Sequence, residues 1–224
     1  MSAADIAVSP PVRREEMVHI ALLLAFAGGY LDAYTWIIHG VMANAQTANL
    51  VLLWVHGTAG NWQQALHFVP PILAFTAGVV AVAWLRRAAA DRASTISILV
   101  EIALLVTVAI LHNRLPDLAG TLGISFVAAM QTAVFTRVEG ATYSSVMITG
   151  NLRQAIEGLF AATSRGSEPA MLRRSGIFAS VCVAFGMGAA IGAFATKGIP
   201  TLALVPPVVA LTIVLLRCGG RAKA

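Results

Sequence analysis

Thr47-Ala48-Asn49-Leu50 and Thr149-Gly150-Asn151-Leu152 repeat one short polar pattern inside stretches otherwise apolar enough to enter a lipid bilayer. Hydroxyl and amide side chains of this kind favour helix N-termini, where they accept bonds from the orphan N–H groups of the first turn. A half-helix that starts inside a membrane turns positive partial charge toward whatever fills the space before it. Two such ends facing each other form a polar site. Set only between packed helices, the same side chains supply interhelical hydrogen bonds of about 0.6 kcal/mol each. Asp32 lies well inside the first apolar segment, where an acid is costly and faces a partner or a cavity. It suits proton coupling, or cation binding if it stays charged; the plainer alternative is one interhelical hydrogen bond, or a pair with His19 or His39. The equivalent place in the second half holds Gln131 and Thr132, polar without charge. The candidate substrate-binding residues are therefore Asp32, Thr47, Asn49, Gln131, Thr149 and Asn151.

The elements that must position them are set by composition. Of 224 residues, 58% are hydrophobic and 11% charged, and mean hydropathy is +0.80, against about 45–50% apolar residues in soluble domains. An integral, all-α polytopic membrane protein is expected. A net charge of +5 does not point to nucleic acid here, because the basic residues sit in short loops between apolar runs, where they set topology. Cys182 and Cys218 have neither the spacing of a metal site nor a disulfide context, so free thiols, no metal and no cofactor are expected. Arg13 and Arg14 before Ile20–Ala27 resemble a signal peptide, yet hydrophobicity runs past Asp32 to Ile38, which suits a retained first helix.

Apolar segments lie near His19–Ile38, Val41–Gly57, Phe68–Leu85, Ile96–Leu111, Leu118–Thr136, Tyr143–Ala162, Ile177–Thr196 and Pro200–Leu216. If all eight cross, basic residues divide about nine to five between the two sides, a poor asymmetry. If the two motif segments enter and leave on one side, the division becomes about twelve to two, with Arg153 in a motif segment. About six full crossings plus two re-entrant or broken helices are expected, with eight full spans in parallel repeats as the alternative. Arg153 and Glu157 are spaced to pair on a helix surface, and Glu101 is expected to reach toward the interface and pair with Arg92. Phe26-Ala27-Gly28-Gly29 can be laid on Phe126-Val127-Ala128-Ala129, and Leu73-Ala74-Phe75-Thr76-Ala77-Gly78 on Val183-Ala184-Phe185-Gly186-Met187-Gly188. Three crossings per half then give inverted repeats, 18–112 and 116–217, in one transmembrane domain, 18–217, between cytoplasmic tails 1–17 and 218–224.

Gly29-Tyr30-Leu31-Asp32-Ala33, the first Thr-Ala-Asn-Leu, Ala129-Met130-Gln131-Thr132-Ala133 and Thr149-Gly150-Asn151-Leu152 resemble the YoaK-like bacterial membrane proteins grouped as domain of unknown function 1275. The match spans roughly His19 to Leu216. Position 48 is alanine where that pattern usually has glycine, which bears on whether a glycine-dependent bend forms at the first motif. The resemblance implies a polytopic inner-membrane protein with a small-molecule transport role and supplies no substrate.

Neither a zinc-protease helix, a nucleophile elbow nor a phosphate-cradling loop occurs in the sequence, so no enzyme is expected. The expected function is a secondary transporter of the bacterial inner membrane, proton coupled through Asp32, with lipid and a small solute or ion as partners. A homo-oligomer is compatible with this. A channel is the alternative within transport, and a structural or regulatory membrane protein the alternative outside it.

Overall fold

The computed structural model describes residues 13–111, 114, 117–163 and 169–218. Most of the expected N-terminal tail, the C-terminal tail beyond Cys218, and Arg165 lie outside the described residues. The chain is almost wholly helical: α1 (Val18–His39), α2 (Gln46–Thr58), α3 (Trp62–Leu66), α4 (Val69–Ala89), α5 (Ala93–Leu111), α6 (Asp117–Val134), a hairpin of β1 (Arg137–Val138) and β2 (Ala141–Thr142), α7 (Ile148–Thr163), α8 (Pro169–Gly198) and α9 (Val205–Cys218). Four stretches, Val18–His39, Trp62–Leu111, Pro169–Gly198 and Pro200–Cys218, are long and apolar enough to cross a membrane, and Leu118–Val134 is a shorter apolar helix. Helices of this length and composition are those of a membrane protein. Their outer faces agree, with Phe194 80%, Leu216 72% and Trp84 68% exposed, apolar surface that water does not tolerate in continuous patches.

Proline and glycine set several boundaries. Pro70 and Pro71 open α4, where the missing N–H groups have no helical partner to lose. Pro169 opens α8, which at 30 residues is longer than the apolar run Ile177–Thr196 within it. Gly40 ends α1 in the left-handed region, its N–H bonded to Trp36 O. The hairpin between α6 and α7 was not expected from the apolar pattern. It turns on Glu139 (φ 45°) and Gly140 (φ 77°), the two positive dihedrals that a tight type I′ turn requires.

Side-chain ties show which helix ends lie together. Arg86 Nη2 donates to Ala133 O of α6 at 2.6 Å, Glu139 N to Glu16 O at 2.8 Å, and Arg173 pairs with Glu139 at 2.5 Å. The start of α1, the ends of α4 and α6 and the start of α8 therefore meet at one end of the bundle. At the other, His67 Nε2 lies 2.6 Å from His39 O, joining the end of α1 to the approach to α4. Arg153 and Glu157 form the expected pair at 3.7 Å on α7. Glu101 overturns its expectation: it is wholly buried in α5, and neither carboxylate oxygen has a partner. The face of α5 that carries Ser97, Glu101 and Leu105 turns into the bundle, so the side chain has no route to Arg92.

α1 is the most enclosed of the four long apolar stretches and packs mainly on α8, while α4 packs mainly on α6. Glycine permits both approaches. A Cβ on Gly188 of α8 would overlap Phe26 O of α1, and one on Gly78 of α4 would overlap Phe126 O of α6. Gly150, by contrast, faces open space. Gly188→Leu is expected to destabilise the purified protein by about 1–3 kcal/mol through overpacking. Gly150→Ala should leave thermal unfolding in detergent within experimental scatter of the wild type, and equal effects of the two substitutions would refute the close-approach account.

Candidate functional site

A polar strip on α1 organises the centre of the molecule. Gly28, Asp32 and Thr35 share one helix face by their spacing of four and three residues. The chain leaving α1 folds back along this strip. Ala43 N donates to Thr35 Oγ1 at 3.1 Å, Asn44 N to Asp32 Oδ1 at 2.8 Å, and Asn44 Nδ2 to Gly28 O at 3.0 Å. The loop that precedes α7 reaches the same point from the other side, since a Cβ on Gly28 would meet Val146 Cγ1 at 2.7 Å. Gln131 of α6 fixes this second loop, donating through Nε2 to Ser145 Oγ at 2.8 Å and to Leu24 O of α1 at 3.1 Å.

Both motif asparagines act in one way, and it is not the expected one. Asn49 Oδ1 accepts from Met42 N at 3.1 Å while its Nδ2 donates to Met42 O at 2.7 Å. Asn151 Oδ1 accepts from Ser144 N at 3.3 Å while its Nδ2 donates to Ser144 O at 2.5 Å. Each amide thus pairs with both backbone groups of the residue seven positions earlier, the way a neighbouring strand would. The expectation that the motif caps the helix starts is corrected. Ala45 is the N-cap of α2 and no side chain caps it, while Thr149 and Asn151 lie within α7. The asparagines hold the loops rather than the helix ends, because unwound backbone buried among helices must find partners. Ala48 and Gly150 are both helical, and the open space at Gly150 means that no bend requires glycine there.

The tips of α2 and α7 open on one central cavity of about 570 Å³, within the range of small-molecule sites. Asp32, Thr47 and Thr149 line it, so three of the six candidates meet there. Asn49, Gln131 and Asn151 do not line it. They are 0%, 1% and 1% exposed, with their amides committed to backbone or Ser145. Thr132, next to Gln131, is the residue that faces the cavity.

Several lining residues stand at positions that align between the two similar sequence segments. Asp32 faces in with Thr132, Thr47 with Thr149, and Phe75 with Phe185. Phe75 and Phe185, which form apolar walls, were missed as site residues although both stand in the segments that carry the repeat. Asn44 was missed as well, one of several polar residues in its segment, whose backbone N–H donates to Asp32 Oδ1. No basic side chain lines the cavity, and among the described residues Asp32 makes no ion pair, neither with His19 nor with His39. The cavity is therefore apolar on its walls, hydroxylated at the two helix tips and acidic at one point.

After Cys182 and Cys218 are replaced by Ser, Thr47→Cys and Thr149→Cys should react with a small membrane-permeant thiol reagent, while Asn49→Cys and Asn151→Cys react at least about tenfold more slowly, or fail to fold. Asn151→Leu strands buried backbone groups of Ser144 and is expected to cost about 2 kcal/mol or more, read as a lowered melting temperature. Equal labelling at all four positions would contradict the division between lining and loop-holding residues.

A family model described as protein of unknown function (DUF1275) matches residues 20–217. No curated protein matches the chain, and no solved structure does.

Proposed function

The chain belongs to the family described as protein of unknown function (DUF1275), and from the geometry of its centre we propose a secondary transporter that exchanges a small solute for a proton at Asp32. The observation that carries this reading is the central cavity, with a single carboxylate at its wall and two helix tips opening into it. A carboxyl that holds either a proton or a cationic group, but not both at once, couples the two in exchange. Apolar walls of Phe75, Phe185 and Trp36 suit a solute with an apolar body, and aromatic faces also attract a cation. Thr47, Thr132 and Thr149 supply hydrogen bonds that orient it.

We read the halves 18–112 and 116–217 as inverted repeats, with α1, α4, α5, α6, α8 and α9 as crossings and α2 and α7 as re-entrant pieces. Several features support this. α2 has 13 residues and reaches about 20 Å, short of a bilayer core of about 30 Å. Gly188 on Phe26 and Gly78 on Phe126 are the same contact in the two halves of the sequence alignment. The two asparagine clamps match as well. Arg13, Arg86, Arg137, Arg173 and Arg174 gather at one end of the bundle, which suits a cytoplasmic face of an inner-membrane protein with both termini inside.

Purified protein in liposomes should take up one or more members of a panel of organic cations and amines when the lumen is acidic, and Asp32→Asn should abolish the response to the pH gradient. Absence of flux for the whole panel, together with neutral solutes, would count against transport. Flux with unaltered pH dependence in Asp32→Asn would remove the coupling role and leave a carrier or channel.

A further inference from the structure

A second cavity, of about 1150 Å³, lies at the end of the bundle where α1 and α8 begin, lined by five arginines and three glutamates. The hairpin forms one wall, tied down by Gly140 N to Glu16 Oε2 at 3.2 Å and by the Arg173–Glu139 pair at 2.5 Å. Two of the three acids are paired with arginines, and five arginines against three glutamates leave an excess of two positive charges. Glu139 is matched by Arg173, Glu16 receives the N–H groups of the hairpin turn, and Glu15 lies 3.7 Å from Arg13. Among the described residues, the other three guanidinium groups make no ion pair with a carboxylate. Arg86 spends its donors on the carbonyls of Ala133 and Val134. Arg174 donates to the neutral Gln154 at 3.3 Å and sits 5.8 Å over the Phe178 ring. Arg137 is exposed and makes no ion pair among the described residues.

We propose that this arginine basin is a phosphate-binding site. Guanidinium groups present planar paired donors that fit phosphate oxygens bidentately, and a cavity with more arginines than acids complements an anion. Topological positive charge needs no cavity, whereas here the charges converge on one with Ile177 and Phe178 among its lining residues. The phosphate has two chemical sources, the headgroup of an anionic phospholipid, which basic pockets between membrane helices recognise, or a free phosphate. The site is distinct from the Asp32 cavity and does not depend on transport.

The test is thermal unfolding of the full chain in a neutral detergent at matched ionic strength, so that screening is held constant. Inorganic phosphate is compared with chloride, and short-chain phosphatidylglycerol with phosphatidylcholine. A raised melting temperature with either phosphate probe is expected, its apparent affinity falling about tenfold in Arg137→Gln and further when Arg174→Gln is added. Among the described residues the exposed Arg137 side chain makes no ion pair, so its variant is expected to fold and to report binding. A rise with phosphatidylglycerol but not with inorganic phosphate assigns the headgroup, and a rise with both assigns the phosphate group itself. No rise with either probe, or a rise unchanged in Arg137→Gln and in the double variant, overturns the proposal.

Discussion

Unwound backbone at the centre of a helical membrane protein must find hydrogen-bond partners inside the protein, and the rest of this structure depends on how that demand is met. The loops before α2 and α7 leave helical conformation deep in the bundle, where no water competes for their N–H and C=O groups. A single amide side chain in each motif, Asn49 or Asn151, answers both groups of one loop residue at once. Thr35 and Asp32 answer two more backbone N–H groups of the first loop, and Gly28 O takes the Asn44 side-chain amide. Once these bonds form, the two short helices are fixed with their starting ends toward each other, and a cavity between them follows without any residue dedicated to shaping it. The polar residues that hold the site and those that line it are thus different sets drawn from the same short motifs.

Asp32 belongs to both sets. Through Oδ1 it takes the N–H of Asn44 and so anchors the first loop, and it also faces the cavity. The residue that aligns with it in the sequence, Thr132, turns its hydroxyl back to Ala128 O at 2.9 Å and makes no bond to the second loop among the described residues. That work falls to Gln131 and Ser144 instead. The cavity wall is therefore electrically one-sided. Any change in the occupancy of the Asp32 carboxyl acts directly on the loop that carries the tip of α2, and only indirectly on that of α7.

Much of this was legible in the amino-acid sequence because it is written in types and spacing. The apolar runs, the proline starts of α4 and the doubled Thr-x-Asn pattern mark the helices, and they mark which of them begin in an unusual place. The aligned Phe75 and Phe185 carried the cavity walls in plain view, but an aromatic residue in an apolar helix is uninformative until its neighbours are known. The direction of the asparagines was not legible, since a side chain that reaches back seven residues does so only when the intervening loop folds against α1. Glu101 misled for the opposite reason. Its charge argues for the surface, whereas the helical face it shares with Ser97 and Leu105 is buried whatever that position holds.

The pairing of α1 with α8 and of α6 with α4 has a consequence for the making of the protein. α1, the most buried of the four long apolar stretches, is synthesised well before α8, whose surface covers it. Until α8 has been synthesised, Gly29 and the rest of that face of α1 remain unsealed, and Asp32 must wait in the lipid or in an insertase with only its own loop as company. The same holds for α4 and α6, which are likewise apart in the chain and packed together. The covering of α1 is therefore a late event in synthesis.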